Sequence, residues 1–227
     1  MDAVPAALQG FRAGQTGVVV LGRVIMGDIA VTLVDLIQRG FLAVEETTDH
    51  GDWLLTPMEK SAARQQHGPV RDYEQRLLDG LTKGGGESHL SSLADSFGMV
   101  LEETRKALIH DAVRQGWLRH LRHGQRTATG EELAGHLRTF RRELRRMVAD
   151  GDQRSLEGQL LPYALRFGLL SDQKTPPVRF AQAWVRAFAD LPGWVAPKPA
   201  RPEYGSDQPL FGDVETVHGG GMIGLIN

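Results

Sequence analysis

Asp35-Leu-Ile-Gln-Arg-Gly40-Phe-Leu42 returns later in the chain as Asp111-Ala-Val-Arg-Gln-Gly116-Trp-Leu118. Each copy reads as the last turn of an amphipathic helix, a glycine that stops it, and an aromatic-Leu pair that opens an extended segment. Glycine suits the stop because it takes the left-handed conformation without steric cost. The parallel continues downstream with a His-Gly turn (His50-Gly51, His123-Gly124) and a Thr-x-x-Glu box (Thr56 to Glu59, Thr129 to Glu132). Helix, glycine stop, hairpin and new helix, twice over, predict a mainly α protein with small β-hairpins, built from tandem winged-helix-like units. Winged helices bind partners more often than they catalyse.

Around the first copy, Ile29, Leu33, Leu36 and Ile37 recur at helical spacing from Gly27 onward. Phe41 to Glu46 and Trp53 to Thr56 pair as a hairpin, and Thr56-Pro57 predicts the start of the next helix, with threonine as cap and proline at its first position. Residues 1–14 lack periodicity and read as a flexible lead-in. Residues 15–68 form the first unit, reduced because no middle helix is visible. The second unit, 69–130, is fuller. Tyr73, Leu77, Leu78 and Leu81 line one helix, Ser88 to Phe97 is a short second, and Leu101, Thr104, Leu108 and Ala112 face inward on a third. That is helix-turn-helix order. Trp117 to Thr127 is its wing, where Trp117 reads as core rather than as a stacking platform.

A C-terminal helical extension covers 131–190. Its first helix runs from Gly130 to about Val148, with Leu133, Leu137, Phe140, Leu144 and Met147 on one stripe. Leu156 to Phe167, bent or entered late because of Pro162, and Val178 to Phe188 follow. Residues 191–227, rich in proline and glycine, read as an extended tail.

Composition narrows the function classes. The 227-residue chain has no cysteine, which removes disulfides and thiolate metal sites. Its net charge of -2 argues against a general nucleic-acid coat. Arg23, Asp28 and Asp35 interrupt the apolar run from Val18 to Ile37 and would each be costly at a bilayer centre. The run therefore reads as a buried segment of a cytoplasmic protein. The opening Met1-Asp-Ala-Val-Pro5 lacks the charged and apolar regions expected of a signal peptide.

Catalytic patterns fail on inspection. His218-Gly-Gly-Gly221 imitates an esterase oxyanion loop, yet no G-x-S-x-G elbow accompanies it. Lys83-Gly-Gly-Gly-Glu-Ser88 lacks the Gly-Lys-Ser/Thr of a phosphate loop. His120 and His123, three apart on an expected strand, point to opposite faces and have no third ligand nearby. The chain reads as non-enzymatic, with no metal or cofactor.

Charge is unevenly spread. From Arg114 to Arg146, Arg114, Arg119, Arg122, Arg126, Arg138, Arg141, Arg142, Arg145 and Arg146 face only Glu131, Glu132 and Glu143, a net of +6. Residues 1–60 carry four basic and eight acidic groups, a net of -4. Three readings of the basic face stand side by side. One is a solvated helix flank. Another is a surface for a protein, a peptide or an anionic membrane. The third is a nucleic-acid contact, which Glu102 and Glu103 at the start of the third helix oppose by repelling phosphates.

Asp28-Ile-Ala-Val-Thr-Leu-Val-Asp-Leu-Ile-Gln-Arg-Gly-Phe-Leu-Ala-Val-Glu-Glu46 resembles the opening of the cytoplasmic region of the DUF2207 family of predicted bacterial membrane proteins. Asp52-Trp-Leu-Leu-Thr56, Tyr73-Glu-Gln-Arg-Leu-Leu78, Ala112-Val-Arg-Gln-Gly-Trp-Leu118 and Leu160-Leu-Pro-Tyr-Ala-Leu-Arg-Phe-Gly168 extend the resemblance over roughly residues 16 to 190. The family is of unknown function, so the resemblance implies no catalytic residues. It implies a position beside a membrane. This chain carries neither the extracytoplasmic domain nor the membrane helices of full-length relatives, and reads as a free-standing relative or an excised cytoplasmic part. Together these readings favour a non-catalytic adaptor or scaffold for a protein or peptide partner at the cytoplasmic membrane face, with a DNA-binding regulator as the alternative. A wing edge open to a peptide strand and a hydrophobic groove between the units are the two docking modes expected.

Overall fold

The apolar run becomes two helices, α1 (Thr16–Leu21) and α2 (Met26–Gln38), in a computed structural model that describes residues 4–47, 51–58, 69–82, 86–119, 125–152, 157–170, 174–192 and 194. The chain continues through β1 (Leu42–Glu46), β2 (Trp53–Pro57), α3 (Asp72–Thr82), β3 (Ser88–His89), α4 (Leu90–Ser96), α5 (Gly98–Arg114), α6 (Ala128–Ala149), α7 (Leu161–Arg166) and α8 (Pro176–Ala187). The protein is mainly helical with a small antiparallel sheet.

α2 is apolar around most of its circumference, the composition of a helix covered on every side. It packs against α7, α8 and the 3-10 turn Ala13–Gln15, and Ile29, Leu33 and Leu36 lose all solvent contact. Both glycine stops form as the sequence predicts. Gly40 and Gly116 have φ of +72° and +75°, and Phe41 and Trp117 donate their amides back to Leu36 and Ala112, each at 2.9 Å. That bond pattern satisfies carbonyls that a bare helix end leaves open.

The sheet departs from the repeat. β1 and β2 form the expected hairpin, with Val44 opposite Leu55 and Glu46 opposite Trp53. The next partner of β2 is β3, which lies between the first and second helices of the second unit (Leu54 opposite His89, Leu55 opposite Ser88). Asp52 reinforces this join, accepting the Ser91 amide at 3.1 Å and hydroxyl at 2.7 Å and so capping α4 from another segment. Among the described residues the second wing is a single bridge, Leu118 to Arg126.

Two expected helix starts are corrected. Thr56 and Pro57 belong to β2, opposite Ala43 and Leu42. Proline is tolerated there because the bond to β1 is carried by the next residue, Met58, whose amide donates to the Phe41 carbonyl at 3.0 Å. In the second copy the cap is Thr127, whose hydroxyl accepts the Gly130 amide at 3.1 Å. Thr129 lies inside α6.

The parts drawn from the sequence at 15–68, 69–130 and 131–190 share one buried cluster. α8 shows how. Its Phe180 meets Trp53 of β2 at 5.5 Å between centroids, while Trp184 meets Phe97, ahead of α5, at 5.8 Å. α7 does the same on the other side, placing Tyr163 against Phe140 of α6 and Phe11. Residues 4–14, read as a flexible lead-in, bury Leu8 and Phe11 in that cluster. The expected tail lies outside the described residues except for Leu191, Pro192 and Trp194.

Candidate functional site

The long stripe Leu133, Leu137, Phe140 and Leu144 buries one side of α6. At 3.6 residues per turn, Arg138, Arg141, Arg142, Arg145 and Arg146 fall together on one flank of that stripe. Arg141 is half-buried and the other four are exposed. Glu132 and Glu143 fall on the opposite flank. Glu131, which shares the arginine side, is engaged by Arg126 at 2.6 Å. The helix is therefore basic along one edge.

The other four predicted site residues divide. Arg114 ends α5, is 60% exposed and pairs with Asp111. Arg119 is exposed beside the wing base, its amide bonded to the Gln125 carbonyl at 2.8 Å. Arg126 is a tether. Its Nη1 donates to the Val19 and Val20 carbonyls at 3.1 and 2.9 Å, closing the open end of α1. Arg122 lies outside the described residues, as do His120, His123 and His218-Gly-Gly-Gly221.

α5 holds the position of a recognition helix in the order α3, β3, α4, α5, wing. Its exposed start carries Met99 and Glu103, with Glu102 paired to Arg105 at 2.7 Å and to Lys106 at 3.8 Å. Those pairs neutralise the cations best placed to meet phosphate.

Two buried charge networks have no counterpart in the sequence reading. In the first, Asp28 is fully buried in the first turn of α2. It accepts amides from Gly17 at 3.0 Å and Ile25 at 2.9 Å, and pairs with the nearly covered Arg166 of α7 at 2.6 Å. Burial pushes its carboxyl above the usual range, while Arg166 and the two amides pull it back. A Cβ on residue 17 would stand 1.9 Å from the Asp28 carboxylate, so only glycine lets α1 come this close.

The second network joins the repeats. Asp35 holds Arg39 at 2.9 Å, and the same Arg39 nitrogen reaches Glu74 at 2.8 Å. Glu74 accepts the Arg71 amide at 2.9 Å, and Arg71 pairs with Asp111 at 2.8 Å. Gln15 closes the far end on Asp111 at 2.6 Å. Asp35 and Asp111, equivalent in the two copies, are thus the two ends of one chain of ion pairs joined through the Arg71 amide. Sequence alone marked their equivalence and missed their connection, because Arg39 reaches the second copy only through Glu74 and Arg71, which lie on and just before another helix.

Among the described residues, no cluster of three or more His, Cys, Asp or Glu could hold a metal ion, and no helix is long and apolar enough to cross a membrane. No family model matches the chain, and neither does any curated protein or solved structure.

Proposed function

We propose that the protein is a non-catalytic binding module, an adaptor that docks an acidic protein or peptide segment along the arginine edge of α6. The observation that carries this reading is the one-sided placement of Arg138, Arg141, Arg142, Arg145 and Arg146. Like charges at helical i, i+3 and i+4 spacing repel one another, at about 0.2–0.5 kcal/mol per pair in an isolated helix. An acidic partner turns that cost into complementarity and faster association. The resemblance to DUF2207 would add an anionic bilayer nearby, where each Lys or Arg gains about 1 kcal/mol.

The second reading, a winged-helix DNA-binding regulator, draws on the helix-strand-helix-helix-wing order of α3 to Arg126. The carboxylates at the start of α5 weigh against it. One titration separates the readings. The purified chain is presented with a labelled Glu/Asp-rich peptide, phosphatidylserine vesicles and a random-sequence duplex, from about 50 to 200 mM salt, a range that weakens multi-phosphate contacts by orders of magnitude. Peptide binding abolished by Arg138→Glu with Arg142→Glu and Arg146→Glu supports the adaptor. Duplex binding with sequence preference, lost on Arg119→Ala, replaces it with the regulator. Binding of none of the three leaves the arginines as a solvated flank.

A further inference from the structure

The segment Val4 to Gln15 crosses the protein as a strap, pinned where Tyr163 donates its hydroxyl to the Phe11 carbonyl at 2.8 Å and Arg71 donates to the Gly10 carbonyl. Between this strap, the end of α2 and the start of α7 lies a cleft of about 500 Å³. That volume is within the ~300–1,000 Å³ of small-molecule sites. Its floor is apolar and buried, made by Leu8, Phe11 and Tyr163. Its walls carry charge of both signs.

Arg12 supplies the positive side. Its Nε stands 3.9 Å from Glu74, and its two terminal nitrogens make no hydrogen bond among the described residues. The backbone amide of Arg12 is fixed by Gln15 at 2.9 Å, which holds the base of the side chain in place. Asp35 supplies the negative side. One of its oxygens is taken by Arg39, and the other has no partner among the described residues. Arg39 lines the cleft too, 5% exposed, with Nη1 shared between Asp35 and Glu74 and with Nε and Nη2 buried without a hydrogen-bond partner among the described residues. Burial pushes the Tyr163 phenol well above its usual range, Asp35 adds to that and Arg12 opposes it, so both charges act on one hydroxyl.

The four charges Arg12, Arg39, Asp35 and Glu74 cancel, which selects the ligand. A phosphate or dicarboxylate would face the Asp35 carboxylate and be repelled by it, with little water to screen the two charges. A cation would face Arg12 at a similar penalty. A purely apolar molecule would strip water from Arg12 and Asp35 without replacing it. We infer that the cleft binds a free α-amino acid with an apolar side chain, its carboxylate on the Arg12 guanidinium, its ammonium on Asp35 and its side chain on Leu8, Phe11 and Tyr163. Gln38 and Gln159 at the rim offer amides to the same polar end. This site is remote in sequence from the α6 arginines and stands without the adaptor reading.

The test is calorimetric titration and thermal shift of the full chain with L-phenylalanine and L-leucine. N-acetyl-L-phenylalanine, which lacks the ammonium, and L-phenylalanine amide, which lacks the carboxylate, serve as blocked probes, with inorganic phosphate as the anion control. The free amino acids are expected to bind saturably and raise Tm. Each blocked form is expected to lose at least about tenfold in affinity, and Arg12→Gln to lose as much. Equal binding of the blocked forms, unaltered affinity in Arg12→Gln, preference for phosphate, or no saturation at millimolar concentrations would each overturn the assignment. The blocked-ligand comparison needs no variant and holds even if Arg12→Gln folds poorly.

Discussion

α2 and α5 finish alike, each with a left-handed glycine, a back-bonded aromatic amide and an aspartate about one and a half turns before the stop. Their surroundings differ. α2 is covered by α7, α8 and the strap, whereas α5 leaves Met99 75% exposed and keeps Glu103 and Lys106 in solvent. The local signal is the same because a helix stop depends on a few backbone bonds. The environment differs because α2 carries Ile29, Val31, Leu33 and Val34 around its circumference and α5 carries Glu102, Glu103, Arg105 and Lys106. One became a hub and the other a surface helix.

The largest break in that comparison is expected at the charge inside α2. Arg166→Ala leaves the Asp28 carboxylate buried without its cation, and about 3–5 kcal/mol of stability should disappear in urea denaturation. Its counterpart near α5, Arg114→Ala, removes an exposed partner of Asp111 and should cost under about 1 kcal/mol. Next come the apolar faces. Leu33→Ala in α2 should cost about 2–5 kcal/mol, and Met99→Ala in α5 should stay within roughly 0.5 kcal/mol. Equal costs at the two positions would end the distinction between hub and surface helix.

The glycine stops sharpen the likeness. Gly40→Ala and Gly116→Ala each force a side chain into the left-handed region, at about 1–2 kcal/mol. Neither site places a Cβ within 4 Å of anything, so the two costs should agree. Disagreement would mean that the stops are read by tertiary packing rather than by the backbone.

The smallest effect is a pH dependence at the join between the units. Burial raises the Asp52 carboxyl, but the Ser91 hydroxyl, the Trp53 and Ser91 amides and nearby His89 outweigh it, and the net shift is downward. A folded value below the unfolded one, about 3.9, gives stability that is present above that pH and lost as pH falls through the folded value. Melting followed below about pH 4 should show this loss, and Asp52→Asn should flatten it.

What the sequence made legible was local. The inner faces of α3 and α5 (Tyr73, Leu77, Leu101, Leu108) and the arginine-rich α6 follow from helical periodicity, and the stops follow from glycine chemistry. What it hid was pairing at a distance. Nothing in Ser88-His89 announces that it completes the hairpin of another unit, since two residues carry no strand pattern. Thr56-Pro57 matches a helix start as well as a strand end, and only the partner strand decides. The cleft was invisible for the same reason. Arg12 sits in a stretch without periodicity, and its meaning comes from Asp35 and Tyr163, which the fold brings beside it.

The placement of β3 on the first hairpin has a consequence for how the chain is made. As the chain leaves the ribosome, β1 and β2 are complete long before their third strand, so β2 waits with an open edge while α3 is still being synthesised. An open edge is a template for any other strand. A fragment cut at residue 68 would keep that edge permanently, and should self-associate. That edge closes only once the chain has been made through Ser88-His89, with the Asp52-capped helix behind it. The first hairpin is therefore not finished where the repeat finishes.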